Sequence, residues 1–220
     1  MRFHWMDYYL WQMKYTVFLL SFLFSVSFFA QKNQKPFSGE LLFSAVRVIP
    51  KDSVRESVLL YAKDSLVKVI TFSTHMGKQE LIKHLGVERS YLLLETSKGK
   101  FAVKTDFSKF QDTTLHYTFK KKRGSKKICG IKAKKLLVTF KDIDKTFEFY
   151  YFKKVAAQYG SAFTSFPGLV VEYYLPTTQG VYHYTLSEFT PKDPPLTLFM
   201  VPEGFKRVTL DEFMEDMTRP

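Results

Sequence analysis

The chain has 220 residues and a formal net charge of +12, from 33 Lys and Arg against 21 Asp and Glu, with one cysteine. A single cysteine excludes an intrachain disulfide, so the fold has to stand on an apolar core, for which this length suffices within one domain. The basic balance is scattered along the chain and admits an anionic surface as partner, while nucleic acid gains no support from it.

Residues up to Ala30 read as an export signal. Lys14 precedes an apolar run from Tyr15 to Ala30, broken by Ser21, Ser25 and Ser27 and followed by the polar stretch Gln31 to Lys35. The run is shorter than the roughly 20 apolar residues of a retained anchor. No cysteine follows it, so a lipid-modified cysteine is not expected. Met13 would open a compact signal peptide by itself, which makes it a rival start to Met1. The expectation is a periplasmic or secreted protein whose residues 31–220 form a single β-rich domain.

From Phe37 onward, short β-branched and aromatic runs of period two alternate with Gly, Asp, Lys and Pro clusters, which predicts a mainly β fold. Phe37 to Ile49 reads as a first strand with Leu41, Phe43 and Ala45 on one face. Ser57 to Ala62 and Leu66 to Phe72 follow as a hairpin around Lys63-Asp64-Ser65. Glu80 to Leu85, Arg89 to Glu95 and Phe101 to Lys104 continue the meander, with a helix over Lys78 to Leu85 as the rival reading. Leu115 to Lys120 and Lys126 to Phe140 are expected strands around a basic turn, Lys120 to Lys127, whose Gly124 and Ser125 mark a solvated hairpin tip. Cys129 then falls inside a strand as a small buried residue. Thr146 to Phe152, Leu169 to Leu175, Val181 to Thr190 and Leu196 to Met200 complete the strands. Between Phe152 and Phe166 the pattern lapses into a small-residue loop that could cover an opening. Thr209-Leu210-Asp211-Glu212 has the capping-box spacing and predicts a short C-terminal helix with Leu210, Phe213, Met214 and Met217 on its apolar side.

Candidate chemistry is sparse. His4, His75, His84, His116 and His183 lack zinc-ligand spacing, so no metal is expected, and no phosphate loop, dinucleotide fingerprint or nucleophile elbow calls for a cofactor. Asp142 and Asp144 sit in a lysine-flanked turn, which gives no means of separating their pKa values. No catalytic residue and no enzymatic activity are expected. The 23 Phe and 13 Tyr either fill a core or line a concavity able to hold an acyl chain. In the second case the lining falls to Phe147, Phe149, Tyr151, Val171 and Tyr173.

Three segments together with the export signal carry a resemblance: Ser125 to Lys135 (SKKICGIKAKK), Phe166 to Tyr173 (FPGLVVEY) and Phe199 to Lys206 (FMVPEGFK). The chain resembles the GLPGLI family and the neighbouring DUF4412-type exported proteins of Gram-negative bacteria. Ala133 stands where that family's first motif has cysteine, Ile131 where it has an aromatic, and Ser165-Phe166-Pro167-Gly168-Leu169-Val170 only approximates its namesake. The resemblance implies an antiparallel curved sheet, a half-barrel like that of the lipoprotein carrier LolA, and by analogy of fold a lipid or lipoprotein as ligand. Two functions follow as expectations. The first is an exported protein holding an apolar ligand in the curved sheet, with basic loops making peripheral contact with anionic membrane. The second is an envelope protein-interaction module without a small-molecule ligand, which a solid interior would favour. A pocket joining His183 or His75 to an acid and a nucleophile would revive a hydrolase.

Overall fold

Period-two alternation is realised as twelve strands in one curved, unclosed sheet in a computed structural model. It describes residues 36–73, 77–87, 89–105, 115–160 and 162–219, with the side chains of 51–53 set aside; the segment expected to be an export signal and His75 lie outside the described residues. The strands are β1 (Phe37–Ile49), β2 (Lys51–Asp64), β3 (Leu66–Ser73), β4 (Gly77–His84), β5 (Arg89–Thr96), β6 (Gly99–Thr105), β7 (Tyr117–Ile128), β8 (Ile131–Phe140), β9 (Lys145–Phe152), β10 (Leu169–Thr177), β11 (Gly180–Thr190) and β12 (Lys206–Val208), followed by the helix α1 (Leu210–Thr218). Their order is β12-β6-β5-β4-β3-β2-β1-β11-β10-β9-β8-β7. Two antiparallel meanders are thus joined where β1 pairs with β11, and β12 adds parallel to β6 at the far edge.

Alternation sorts the side chains into two faces. The inner face carries Leu41, Phe43 and Ala45 of β1, Val58, Leu60 and Ala62 of β2, and Leu136, Val138 and Phe140 of β8, all buried in one cluster. The C-terminal segment wraps the opposite edge. Val201 and Phe205 pack on Ile82, Leu93 and Ala102 on the outer face, whereas Phe213 of α1 packs on Phe101, Val103 and Val208. Both halves of the Thr209–Glu212 capping box form, as the spacing predicts. Of the expected apolar side, Phe213 and Met217 are half-buried, but Leu210 and Met214 are exposed.

The strand expected from Glu80 forms as β4, which pairs along its length with β3 and over its second half with β5, so the rival helix is not adopted, and Leu85 begins the turn. Three local expectations need correction. The basic run is no hairpin tip: Lys120 to Lys127 lie within β7, with a register break between Lys121 and Ser125 where Gly124 takes φ +136°. The turn falls instead at Cys129 and Gly130, whose φ values of +47° and +77° suit a two-residue hairpin loop joining Ile128 to Ile131. Cys129 is accordingly exposed rather than a buried strand residue. Leu196–Phe199 is a 3-10 turn and not a strand, entered through Pro194 and Pro195, which lack the N–H a ladder needs.

Gly168 explains one of the quoted motifs in structural terms. A Cβ there would lie 2.3 Å from the carbonyl oxygen of Phe152, so only glycine lets the chain enter β10 beside the end of β9. Gly168→Ala is expected to lower stability by about 3 kcal/mol through overpacking. Gly130→Ala, with positive φ but nothing within 4 Å, should cost about 1 kcal/mol of backbone strain. Urea denaturation of both variants checks this, and equal losses would contradict the close approach at Phe152.

Candidate functional site

The inner face is covered by residues 153–168, which run irregularly between β9 and β10 around a 3-10 turn, Ala157–Tyr159. Ala156, Ala157, Tyr159, Phe163 and Phe166 are all buried. Phe163 stacks on Phe166 at 5.1 Å between ring centroids and meets Phe149 at 5.2 Å and Tyr173 at 5.7 Å, edge-on. Phe166 meets Phe119 of β7 at 4.6 Å. Such offset and edge-on pairs are favourable beyond area burial. Phe163 holds φ +59°, a conformation a bulky side chain rarely adopts and that packing has to enforce.

Polar tethers fix the same segment. The Tyr159 hydroxyl donates to the Asp64 carbonyl and accepts from the Phe37 N–H at 3.0 Å, joining the start of β1 to the end of β2. From β4, Lys83 donates through Nζ to the carbonyls of Gly160 at 2.7 Å and Gln158 at 3.3 Å. Lys83 is 1% exposed, beside Ser90 and Thr105, whose hydroxyls lie 2.7 Å apart. Removal from water disfavours the ammonium and pulls the Lys83 pKa down to about 7.

Of the five expected lining residues, Phe149, Tyr151, Val171 and Tyr173 are buried on or around this covered face. Tyr173 stacks on Tyr184 at 4.8 Å. Phe147 is half-buried and stacks at 4.4 Å on Tyr174, which stacks in turn on His183 at 4.3 Å. The space between the sheet and the covering segment, bounded by Phe43, Leu60, Leu169 and Tyr173, is a cavity of about 10 Å³. That is the volume of one probe sphere, so these described residues leave no room for a ligand at that point.

Among the described residues no histidine meets both an acid and a nucleophile. His183 Nε2 lies 3.3 Å from Glu172 Oε1, out of hydrogen-bond alignment, and Lys126 pairs with the other carboxylate oxygen. Lys126 also lies over the Tyr150 ring at 4.4 Å. His116 meets Asp142 at 3.1 Å in an exposed turn. Desolvation and the Glu188 charge hold the Cys129 thiol above its ordinary pKa, away from thiolate. Among the described residues no cluster of His, Cys, Asp and Glu could hold a metal ion. No helix among them is long and apolar enough to cross a membrane.

β7 forms the other edge of the sheet. It is 12 residues long and among the described residues pairs with β8 alone, and Lys120 to Lys127 are exposed throughout. Elsewhere, an open depression of about 570 Å³ lies over Ser44, Val46, Arg55, Glu56 and Phe72. Lys83 and Tyr159 escaped the sequence reading, although Lys83 falls in phase with Leu81, an anomaly on an apolar face. Compared with known proteins, the chain matches no family model, and no curated protein matches it as a relative.

Unfolded, Lys83 keeps its ordinary value near 10.5. Between pH 7 and that value the unfolded chain therefore holds a proton that the folded chain has released, and stability rises with pH. Tyr159 and Tyr184, raised by burial, act in the opposite sense only as tyrosines ionise, above about pH 9. The urea midpoint is expected to increase from about pH 7 to about pH 9, and Lys83→Met should flatten that slope. An unchanged slope in the variant would remove Lys83 from this role.

Proposed function

We propose that the protein is an exported interaction module that grips an acidic, extended segment of an envelope partner along the free edge of β7. The observation that carries this reading is the contrast, among the described residues, between an inner face covered by packed aromatic rings and a long edge strand dense in cations. An edge strand offers unpaired backbone groups to an added strand, and its lysines repel a second copy of itself while favouring an acidic sequence. Anionic membrane is the weaker occupant, because Lys120 to Lys127 contain no apolar side chain to insert between headgroups.

An acetylated, amidated peptide of four Glu-Val repeats serves as the probe. In low salt it is expected to shift the amide resonances of Lys120 to Lys127. Added salt should weaken the binding, as should the triple variant Lys121→Glu, Lys122→Glu, Arg123→Glu, by at least tenfold. Binding to phosphatidylglycerol vesicles without binding to the peptide, or peptide binding indifferent to the triple variant, would overturn the proposal.

One observation favours a second reading, an apolar ligand beneath the sheet: the cover is irregular, strained at Phe163 and tethered by polar bonds that water can replace. Displacing Tyr159, Phe163 and Phe166 costs roughly 5–9 kcal/mol, which an acyl chain offsets with about ten buried methylenes at ~0.8 kcal/mol each. Only long chains would therefore enter. Native mass spectrometry of protein purified from the periplasm separates the readings, since a co-purifying lipid supports the second and a ligand-free protein the first.

A further inference from the structure

A cleft of about 170 Å³ lies between the outer face of β3–β5 and the segment Phe199–Val201. His84 and Arg89 enter it side by side from paired positions on β4 and β5, with Ile82 and Tyr91 as the next pair. Arg207 reaches it from β12, opposite Ala102. Buried Ile82 and Phe199, with half-buried Val201, make its floor apolar.

Among the described residues its charges have no acidic partner. Elsewhere on the sheet, lysines meet acids: Lys68 lies 2.7 Å from Glu80, and Lys206, the neighbour of Arg207, lies 2.6 Å from Asp216. Among the described residues no carboxylate pairs with Arg89 or Arg207. The Nδ1 atom of His84 is buried and makes no hydrogen bond. Two exposed guanidinium groups and an imidazole thus converge over an apolar floor.

We propose that this cleft binds a small monocarboxylate with a short apolar or aromatic tail. The planar guanidinium fork matches a carboxylate in two-point contact, and Ile82, Phe199 and Val201 give the tail a dry seat. The volume lies below the roughly 300 Å³ at which pockets accept drug-sized ligands, so the tail is short. This site is independent of the β7 edge, at the opposite end of the strand order.

Phenylacetate is the probe, with 2-phenylethanol as its uncharged analogue and inorganic phosphate as an anion without a tail, each titrated by calorimetry into the full domain. Phenylacetate is expected to bind saturably, and both controls at least tenfold more weakly. The exposed arginines allow Arg89→Gln/Arg207→Gln to fold as the parent does, and this variant should lose at least tenfold in affinity for phenylacetate. Val201→Trp, which fills the cleft while keeping both arginines, should abolish binding. Absence of saturable binding, equal binding of phenylethanol or phosphate, or an unaffected arginine variant would each overturn the assignment.

Discussion

A curved sheet that closes on neither side exposes an apolar inner face, and the chain has to cover it with something other than another strand. Here residues 153–168 supply the cover, and the order of the molecule depends on how they are seated. Phe163 and Phe166 knit the cover to β7, β8, β9 and β10 through ring contacts, while Tyr159 fastens it to the ends of β1 and β2. The left-handed backbone at Phe163 accompanies the seating of its ring against Phe149 and Tyr173. Lys83 completes the arrangement from β4, satisfying two carbonyls that an irregular segment cannot pair with a ladder.

The two edges of the sheet are protected by different physics. At one, a three-residue parallel strand and a capped helix wrap around β6, so that few backbone groups are offered to solvent. At the other, β7 stays long and unpaired on its outer side among the described residues. Its defence is electrostatic, and the register break between Lys121 and Ser125 adds a local irregularity that hinders a flat second copy. A charge-based defence is conditional: it fails against a segment of opposite sign. That conditionality is why this edge, and not the wrapped one, is where a partner is proposed to bind.

Much of the architecture was legible because period-two alternation and turn chemistry are local. The hairpin at Asp64, the capping box at Thr209 and the strands of the first meander follow directly from residue type and spacing. What escaped depends on tertiary context. Lys120 to Lys127 reads as a turn because lysine, glycine and serine favour one, but pairing with β8 extends the strand through them and moves the turn to Cys129-Gly130. The burial of Phe163 and Tyr159 was hidden inside a stretch without periodicity, since an irregular cover has no repeat to detect. Phe149, Tyr151, Val171 and Tyr173 fall among the buried residues as the strand pattern implies, yet no pattern in one strand reports what fills the space opposite.

The placement of cations separates structural charge from charge available to a ligand. Lys68, Lys126, Lys135, Lys192 and Lys206 each meet an acid across or beside the sheet, and such pairs mainly satisfy local electrostatics. Among the other cations of the described residues, two concentrations of opposite character stand out: a linear one along β7 from Lys120 to Arg123 beside its edge, and a converging one at Arg89 and Arg207 above an apolar floor. A linear array selects for an extended polyanion, because each added acidic residue gains a similar increment. A converging pair selects for one compact anion, because the second guanidinium strengthens the hold only on a group already bound by the first. The same excess of positive charge thus supports two recognition modes whose salt dependence differs: several screened contacts act along the edge, and few, partly desolvated ones in the cleft.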